Sequence, residues 1–370
     1  MSTRLYFLPD YSASNPYQSM LYSRASEFGV EVSPIGLDEL DGLDPRNDTG
    51  ANPHTITSIV HLHWTNPIVQ RHRDPVAART SMHRTLDALR AYRERGGRLV
   101  WTIHNVLPHD HSHHVLELEL CQRLTRESDI VHVLAPSTAR AVDAYYPLTE
   151  ATVITEGHAS FIGHYPDTVT PTEARAALGL NADDEVIVSM GGVRPYRGLD
   201  RLADAVTQLQ RTRPRARLLV AGRPGRGTDV AALERVLDAV PGIVRRLDFV
   251  PDDEVQLWMR AADVAAMPYE RILNSSSFPL AQSFGLPVVA PNLGVFHDHR
   301  DAPYLHLYPA RSTHGLVNAL ADALRPDDLA DRSRAARQAA DAYPPEAMSR
   351  GFFQQLLSVL EPAAAPSAHQ

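Results

Sequence analysis

The sequence predicts an α/β protein built as two doubly wound lobes. Three observations carry that expectation. Short runs rich in β-branched residues alternate with longer stretches of helical spacing; the alternation lapses once near the middle and then restarts; and 370 residues exceed what one core usually fills. Apolar residues make up 44% of the chain and charged residues 22%, the balance of a globular protein with a buried interior.

In the first half, Arg4–Pro9, Ile59–Trp64, Arg98–Ile103, Ile130–Leu134 and Thr152–Ile154 read as strands. Between them, Ser81–Arg95, Val115–Glu127 and Thr138–Tyr145 place apolar residues at helical intervals. After Gly157-His158-Ala159-Ser160 the rhythm gives way to Tyr165-Pro166 and Thr170-Pro171, which suit a linker and put a domain boundary near Pro166. Strands then resume at Val186–Met190, Leu218–Ala221, Arg246–Phe249, Val264–Met267, Val288–Ala290 and Leu305–Tyr308. Helices are expected at Leu199–Thr212, Val230–Val240, Asp252–Ala262, Pro279–Phe284 and Thr313–Leu324. Strand–helix–strand units imply parallel sheets, with ligands outside the carboxyl ends of the strands. A last helix spans Pro345–Leu360, and the Ala/Pro-rich Pro362–Gln370 reads as a disordered tail.

Composition excludes several function classes. A net charge of −8 disfavours a broad nucleic-acid surface. Cys121 is the lone cysteine, so no internal disulfide forms, and no apolar run is long enough to span a membrane. With no signal-like apolar segment at Met1–Leu5, a cytoplasmic setting is expected. The chain has no lysine: all 36 basic residues are arginine. Walker-type phosphate loops and Schiff-base chemistry both need a lysine amine, so arginine must supply every fixed side-chain cation.

The strongest motif is Met190-Gly191-Gly192-Val193-Arg194-Pro195-Tyr196-Arg197-Gly198-Leu199, directly after an expected strand and opening a helix. Paired glycines let backbone approach a ligand, and two arginines can bracket a diphosphate; a tight turn with solvated arginines is the plainer alternative. A second segment, Asn274-Ser275-Ser276-Ser277, leads into a helix N-terminus that suits an anion or a simple serine cap. It is followed by Gly285-Leu286-Pro287-Val288-Val289-Ala290. A third, Trp101-Thr102-Ile103-His104-Asn105, ends a strand in a polar loop that continues to His109 and Asp110.

Together these segments resemble the GT-B glycosyltransferases, and glycosyltransferase family four in particular. The resemblance implies two Rossmann-like domains facing across a cleft. Residues 1–165 would form the acceptor domain, with helix 345–361 packing back on it, and residues 166–344 the donor domain. It implies that Arg194 and Arg197 hold and neutralise the donor diphosphate beside Gly191 and Gly192, with Arg197 standing where the family usually has lysine. Asn274, Ser275, Ser276 and Ser277 would close the donor site, the Val250 backbone would meet the base, and His104 would reach the donor sugar. The family's paired glutamates are replaced by Ile272 and Leu280. If the reaction inverts configuration, His109 or Asp110 is the candidate base.

Tyr11, Asn15, Tyr17, Trp64, Asn105 and His109 are the acceptor candidates, because aromatic and amide groups stack on and hydrogen-bond to sugars; Asn-Pro turns explain the same loops structurally. The histidines of His109–His114 and His61-Leu62-His63 match no zinc spacing and read as solvated. The chain also lacks the Asp-x-Asp triplet of metal-dependent transferases. The expected activity is therefore metal-independent hexosyl transfer from a GDP- or UDP-sugar to a glycan, glycolipid or small molecule, with no further cofactor. Peripheral association with the inner membrane face is the family-level expectation for a glycolipid acceptor. A GT-B nucleotide-sugar epimerase and a two-lobed sugar-binding protein are the rivals.

Overall fold

Every strand of both sheets runs parallel to its neighbours, because helices and loops carry the chain back between consecutive strands. The computed structural model describes residues 3–48, 58–107, 112–225 and 227–360. His109, Asp110 and the tail 362–370 lie outside them. The chain divides into Met1–His158 with Pro345–Gln370, and Ala159–Pro344. Ala159–Phe161 goes with the second unit because Ser160 N donates to the Tyr343 carbonyl (2.9 Å) and Phe161 N to Ser283 Oγ (2.8 Å).

The first unit has strands β1 (Thr3–Leu8), β2 (Val30–Pro34), β3 (Ser58–Leu62), β4 (Arg98–Ile103), β5 (Ile130–Val133) and β6 (Val153–Thr155), in the order β2-β1-β3-β4-β5-β6. All residues of β3 and β5 are buried, as a parallel sheet covered on both faces requires. Helices α1 (Tyr17–Leu21), α2 (Asn66–Val69), α3 (Pro75–Glu94), α4 (His114–Glu127) and α5 (Thr138–Val142) fill the crossovers. β2 escaped the sequence reading: only Val30 of its five residues is buried, so an edge strand left little apolar signal. α3 begins at Pro75 rather than Ser81. Asp74 accepts from Ala77 N and Pro75 sits at the first helical turn, a stronger start signal than the first apolar residue.

The second unit contains β7 (Glu185–Met190), β8 (Ala216–Ala221), β9 (Val244–Arg246), β10 (Val264–Ala266), β11 (Val288–Pro291) and β12 (Leu305–Tyr308), ordered β12-β11-β10-β7-β8-β9. Its helices are α6 (Pro171–Ala177), α7 (Leu199–Leu209), α8 (Val230–Asp238), α9 (Val255–Ala261), α10 (Ser277–Ser283), α11 (Gly294–Asp298), α12 (Thr313–Ala323) and α13 (Pro326–Ala342). Leu202 and Val206 of α7 and Leu316 and Leu320 of α12 share one core with Ile187, Leu218 and Val289 of the sheet.

Three expectations change here. Thr170-Pro171, read as linker, opens α6 through a capping box in which Thr170 and Glu173 bond each other's backbone N–H. The strand expected at Arg246–Phe249 lies at Val244–Arg246, because pairing with Leu219–Ala221 of β8 starts at Val244 and leaves Phe249 exposed. The helix expected at Asp252–Ala262 starts only at Val255: Glu254, just before it, makes no side-chain cap bond and pairs with Arg246 instead.

The final helix α14 (Pro345–Leu360) belongs to the first unit. It buries Met348, Phe352, Phe353 and Leu356, and Arg350 and Glu346 pair with Glu27 and Arg24. Gly351 leaves room for Glu156, whose carboxylate a Cβ at 351 would overlap. No helix among the described residues is long and apolar enough to cross a membrane.

Candidate active site

In the second unit, β7 delivers Met190 to the carboxyl edge of its sheet, and Gly191 follows at φ 120°. A Cβ at 191 would lie 2.7 Å from Arg197 Nη1 and 3.0 Å from Ser277 Oγ, so the missing side chain lets the two loops meet. Arg197 Nη1 donates to the Met190 carbonyl (3.1 Å) and Nη2 to Ser277 Oγ (3.3 Å), while Ser277 Oγ donates to the same carbonyl (3.1 Å). The guanidinium also lies 5.0 Å from the Tyr269 ring centroid. Among the described residues no carboxylate pairs with Arg197, and its Nε and the Ser275 Oγ are buried without a hydrogen-bond partner. A fixed, unneutralised cation with orphaned donors is suited to an anionic ligand.

Arg194 and Arg197 diverge. Arg194 lies over Gly225, where any side chain would overlap its guanidinium, and the Gly225 N–H bonds the Val193 carbonyl (2.8 Å). Gly192 has space for a Cβ, so only Gly191 of the pair is sterically required. Ser277 is brought into the Arg197 cluster; Ser276 is exposed at the start of α10 and makes no cap bond, and Asn274 and Ser275 are half-buried just before it. Val250 is buried in the turn between β9 and α9. Neither Ile272 nor Leu280 offers a polar group, and Glu270 points its backbone N–H at the Tyr196 carbonyl (2.8 Å), tying the two loops together.

In the first unit, the loops after β1, β3 and β4 build an aromatic cluster. Trp64 stacks on His104 at 4.0 Å and 15°, and Tyr11 lies 5.1 Å from Trp64. Tyr17 meets His104 edge-on at 5.1 Å, but it is only 2% exposed and its hydroxyl has no hydrogen-bond partner among the described residues. Asn15 spends its amide oxygen on the Tyr17 N–H (3.1 Å), and the Asn105 carbonyl accepts from the Tyr146 hydroxyl (3.3 Å). Beside Trp64, a cleft of about 420 Å³ is walled by Pro9, Ile35 and Ile68, with Asp10, Glu39 and Arg71 at hand.

His104 is not isolated. Its Nε2 lies 3.1 Å from His63 Nδ1, and burial pushes its pKa well below the usual imidazole range, with His132 and His158 adding to the effect. His61 and His63, read from sequence as solvated, are instead buried on and just after β3. Tyr22, Thr102, Arg71 and Glu39 were missed as well. The alternation His61-Leu62-His63 is the one signal that could have found the buried pair, since it sets both imidazoles on one face of a strand.

Residues 184–326 match the family model described as glycosyl transferases group 1. The chain is 23% identical over 317 residues to a GDP-mannose:glycolipid 4-beta-D-mannosyltransferase of Xanthomonas campestris pv. campestris, covering 84% of this chain and 80% of that one. The chain is a glycosyltransferase. Its fold is GT-B. Sucrose-phosphate synthase of Thermosynechococcus elongatus superposes with a TM-score of 0.73 at 13% identity, over 97% of this chain and 99% of that one. HepE of Anabaena, solved with UDP-glucose, gives 0.70 at 15% identity over 96% and 99%. The group 1 segment of the glycosyltransferase runs from just before β7 to the end of α12, and so contains Gly191, Arg194, Arg197, Val250 and Ser277.

Proposed function

We propose that the glycosyltransferase moves a hexosyl group from a GDP- or UDP-sugar to a hydroxyl of a glycan, glycolipid or small-molecule acceptor, without a metal. The observation that carries this reading is Arg197, a cation set at a strand end with no carboxylate among the described residues paired to it. In the reaction the bond from the anomeric carbon to the diphosphate oxygen breaks and its electron pair stays on the diphosphate. The acceptor oxygen bonds the anomeric carbon and gives up its proton to the departing diphosphate. Arg197, assisted by Arg194 and the Ser275–Ser277 loop, neutralises the leaving diphosphate; Gly191 and Gly192 allow its approach, and Val250 and Asn274 complete the donor side. A guanidinium meets phosphate bidentately and keeps its charge at any working pH, so it can take the role a divalent cation plays elsewhere.

The first unit supplies the acceptor side: Trp64 and Tyr11 offer ring faces beside the cleft after β1 and β3, His104 contacts the reacting sugar, and Tyr17, Asn15 and Asn105 complete the loops, with His109, outside the described residues, a candidate from the sequence alone. The Xanthomonas relative makes GDP-mannose the first donor to try and a glycolipid the first acceptor, the latter met by peripheral association with a membrane. Thermal unfolding of the metal-stripped protein against GDP-, UDP-, dTDP- and CMP-sugars tests the donor. One nucleotide class is expected to raise the midpoint in the presence of chelator, since ligand bound only by the folded state stabilises by mass action. No shift with any of them, or a shift only on adding a divalent cation, overturns the reading.

A further inference from the structure

Seven groups of the first unit form one unbroken hydrogen-bonded chain. His132 Nε2 lies 3.1 Å from the Glu156 carbonyl, and His132 Nδ1 lies 3.0 Å from Thr102 Oγ1. Thr102 Oγ1 is 2.7 Å from His61 Nε2. The Tyr22 hydroxyl bridges His61 Nδ1 (2.8 Å) and His63 Nε2 (2.7 Å), and His63 Nδ1 meets His104 Nε2 at 3.1 Å. The wire crosses β3, β4 and β5 on one face, where Thr102 and His132 are direct cross-strand partners. Phe352 of α14 stacks on His61 at 5.3 Å and 7° and packs 5.0 Å from His132, keeping water from the middle of the run.

One end of this wire is a carbonyl, which can only accept. Each neutral imidazole carries one N–H and each hydroxyl one O–H, so the first bond fixes all the rest. His132 Nε2–H donates to Glu156; Thr102 O–H donates to His132 Nδ1; His61 Nε2–H donates to Thr102; Tyr22 O–H donates to His61 Nδ1; His63 Nε2–H donates to Tyr22; and His104 Nε2–H donates to His63 Nδ1. Reversing the direction would set the His132 Nε2 lone pair against the Glu156 carbonyl oxygen in a buried site, leaving both without a donor. Burial lowers the pKa of all four imidazoles, His132 to about 4, which keeps each one neutral and the count of one N–H per ring valid.

We infer that His132, Thr102, His61, Tyr22 and His63 are positioning residues that lock His104 as its Nε2–H tautomer and leave Nδ1 as the lone-pair atom. Resting on the proposed transfer reaction for its substrate, this makes His104 an acceptor toward a sugar hydroxyl. It also disfavours a uronic acid at the same place, since a carboxylate cannot donate to Nδ1.

Long-range proton–nitrogen NMR of the full chain with 15N-labelled histidine reads each tautomer directly, without substrate. Wild type is expected to show all four imidazoles protonated at Nε2 and bare at Nδ1. Tyr22→Phe and Thr102→Val cut the wire and should let an Nδ1–H form of His104 appear, whereas Thr102→Ser, which keeps the hydroxyl, should restore the wild-type pattern. Transfer by Tyr22→Phe should fall about tenfold in kcat with the donor KM moving less than twofold. An Nδ1–H tautomer of His104 in the wild-type spectrum overturns the inference, as does a wild-type His104 pattern in both cut variants. Should the wild-type pattern hold while no nucleotide sugar binds, the wire stands and the proposed reaction falls.

Discussion

Gly191 and Gly198 set the place of Arg197 more than Arg197 itself does. At 191 a Cβ would press on the guanidinium, and at 198, where φ is 65°, it would overlap the Pro268 carbonyl, so both loops depend on absent side chains. In the other unit the controlling residues are buried polar ones whose charge states oppose each other. Glu156 is raised to about 7, chiefly by burial and partly offset by Gln355, against an ordinary value of 4.5. The folded chain then holds that proton where the unfolded chain has lost it, so this group's contribution to stability declines as pH rises from 4.5 through about 7. His132 acts in the opposite sense: it is lowered to about 4 from 6.5, so the unfolded chain binds more protons and stability is lost as pH falls through that window. His61, His63 and His104 are shifted the same way, so these imidazoles together withdraw stability as pH falls below 6.5. Thermal midpoints of Glu156→Gln isolate the carboxyl. The variant should be more stable than wild type at pH 8, with the gain vanishing below pH 5. An equal gain at both pH values would show that the effect is not ionisation.

Among the elements, those with a continuous apolar run were legible and those held by polar contacts were not. β1, β4, β7, β8, β11 and β12 lie within a few residues of their expected places because each buries half of its length or more. α13 left no trace: of its 17 residues only Ala336 and Ala340 are buried, too narrow a stripe to register as periodicity. β2 failed for the same reason, and with it went the cleft wall at Ile35 and Gly36. The donor-side motif was legible because glycines and arginines at a strand end announce themselves; the histidine wire was not, because its members come from separate strands and meet only after the sheet forms. α6 was hidden by its own start signal, since Thr-Pro reads as a turn until Glu173 is recognised as the reciprocal cap. Thr170→Ala removes that cap and should lower stability by about 1 kcal/mol, measured by denaturant unfolding; no loss would mean that packing of α6 against α9 alone holds the helix.

For the molecule as a whole, the fold uses a six-stranded parallel sheet twice, in two different strand orders and with different equipment. The first unit ends its strands in aromatic rings and buried imidazoles, and the second in glycines, serines and an arginine that pairs with no carboxylate among the described residues. The chain has no lysine, so every fixed side-chain cation for a diphosphate must be a guanidinium, and Arg197 is the one the second unit holds against both loops. Calorimetric titration of wild type and Arg197→Ala with GDP and UDP, in chelator, tests that claim most directly. One diphosphate should bind wild type without metal, and the variant should bind it at least tenfold more weakly, about 1.4 kcal/mol. Equal affinity in the two proteins would contradict the account and move the diphosphate away from the Gly191–Arg197 loop.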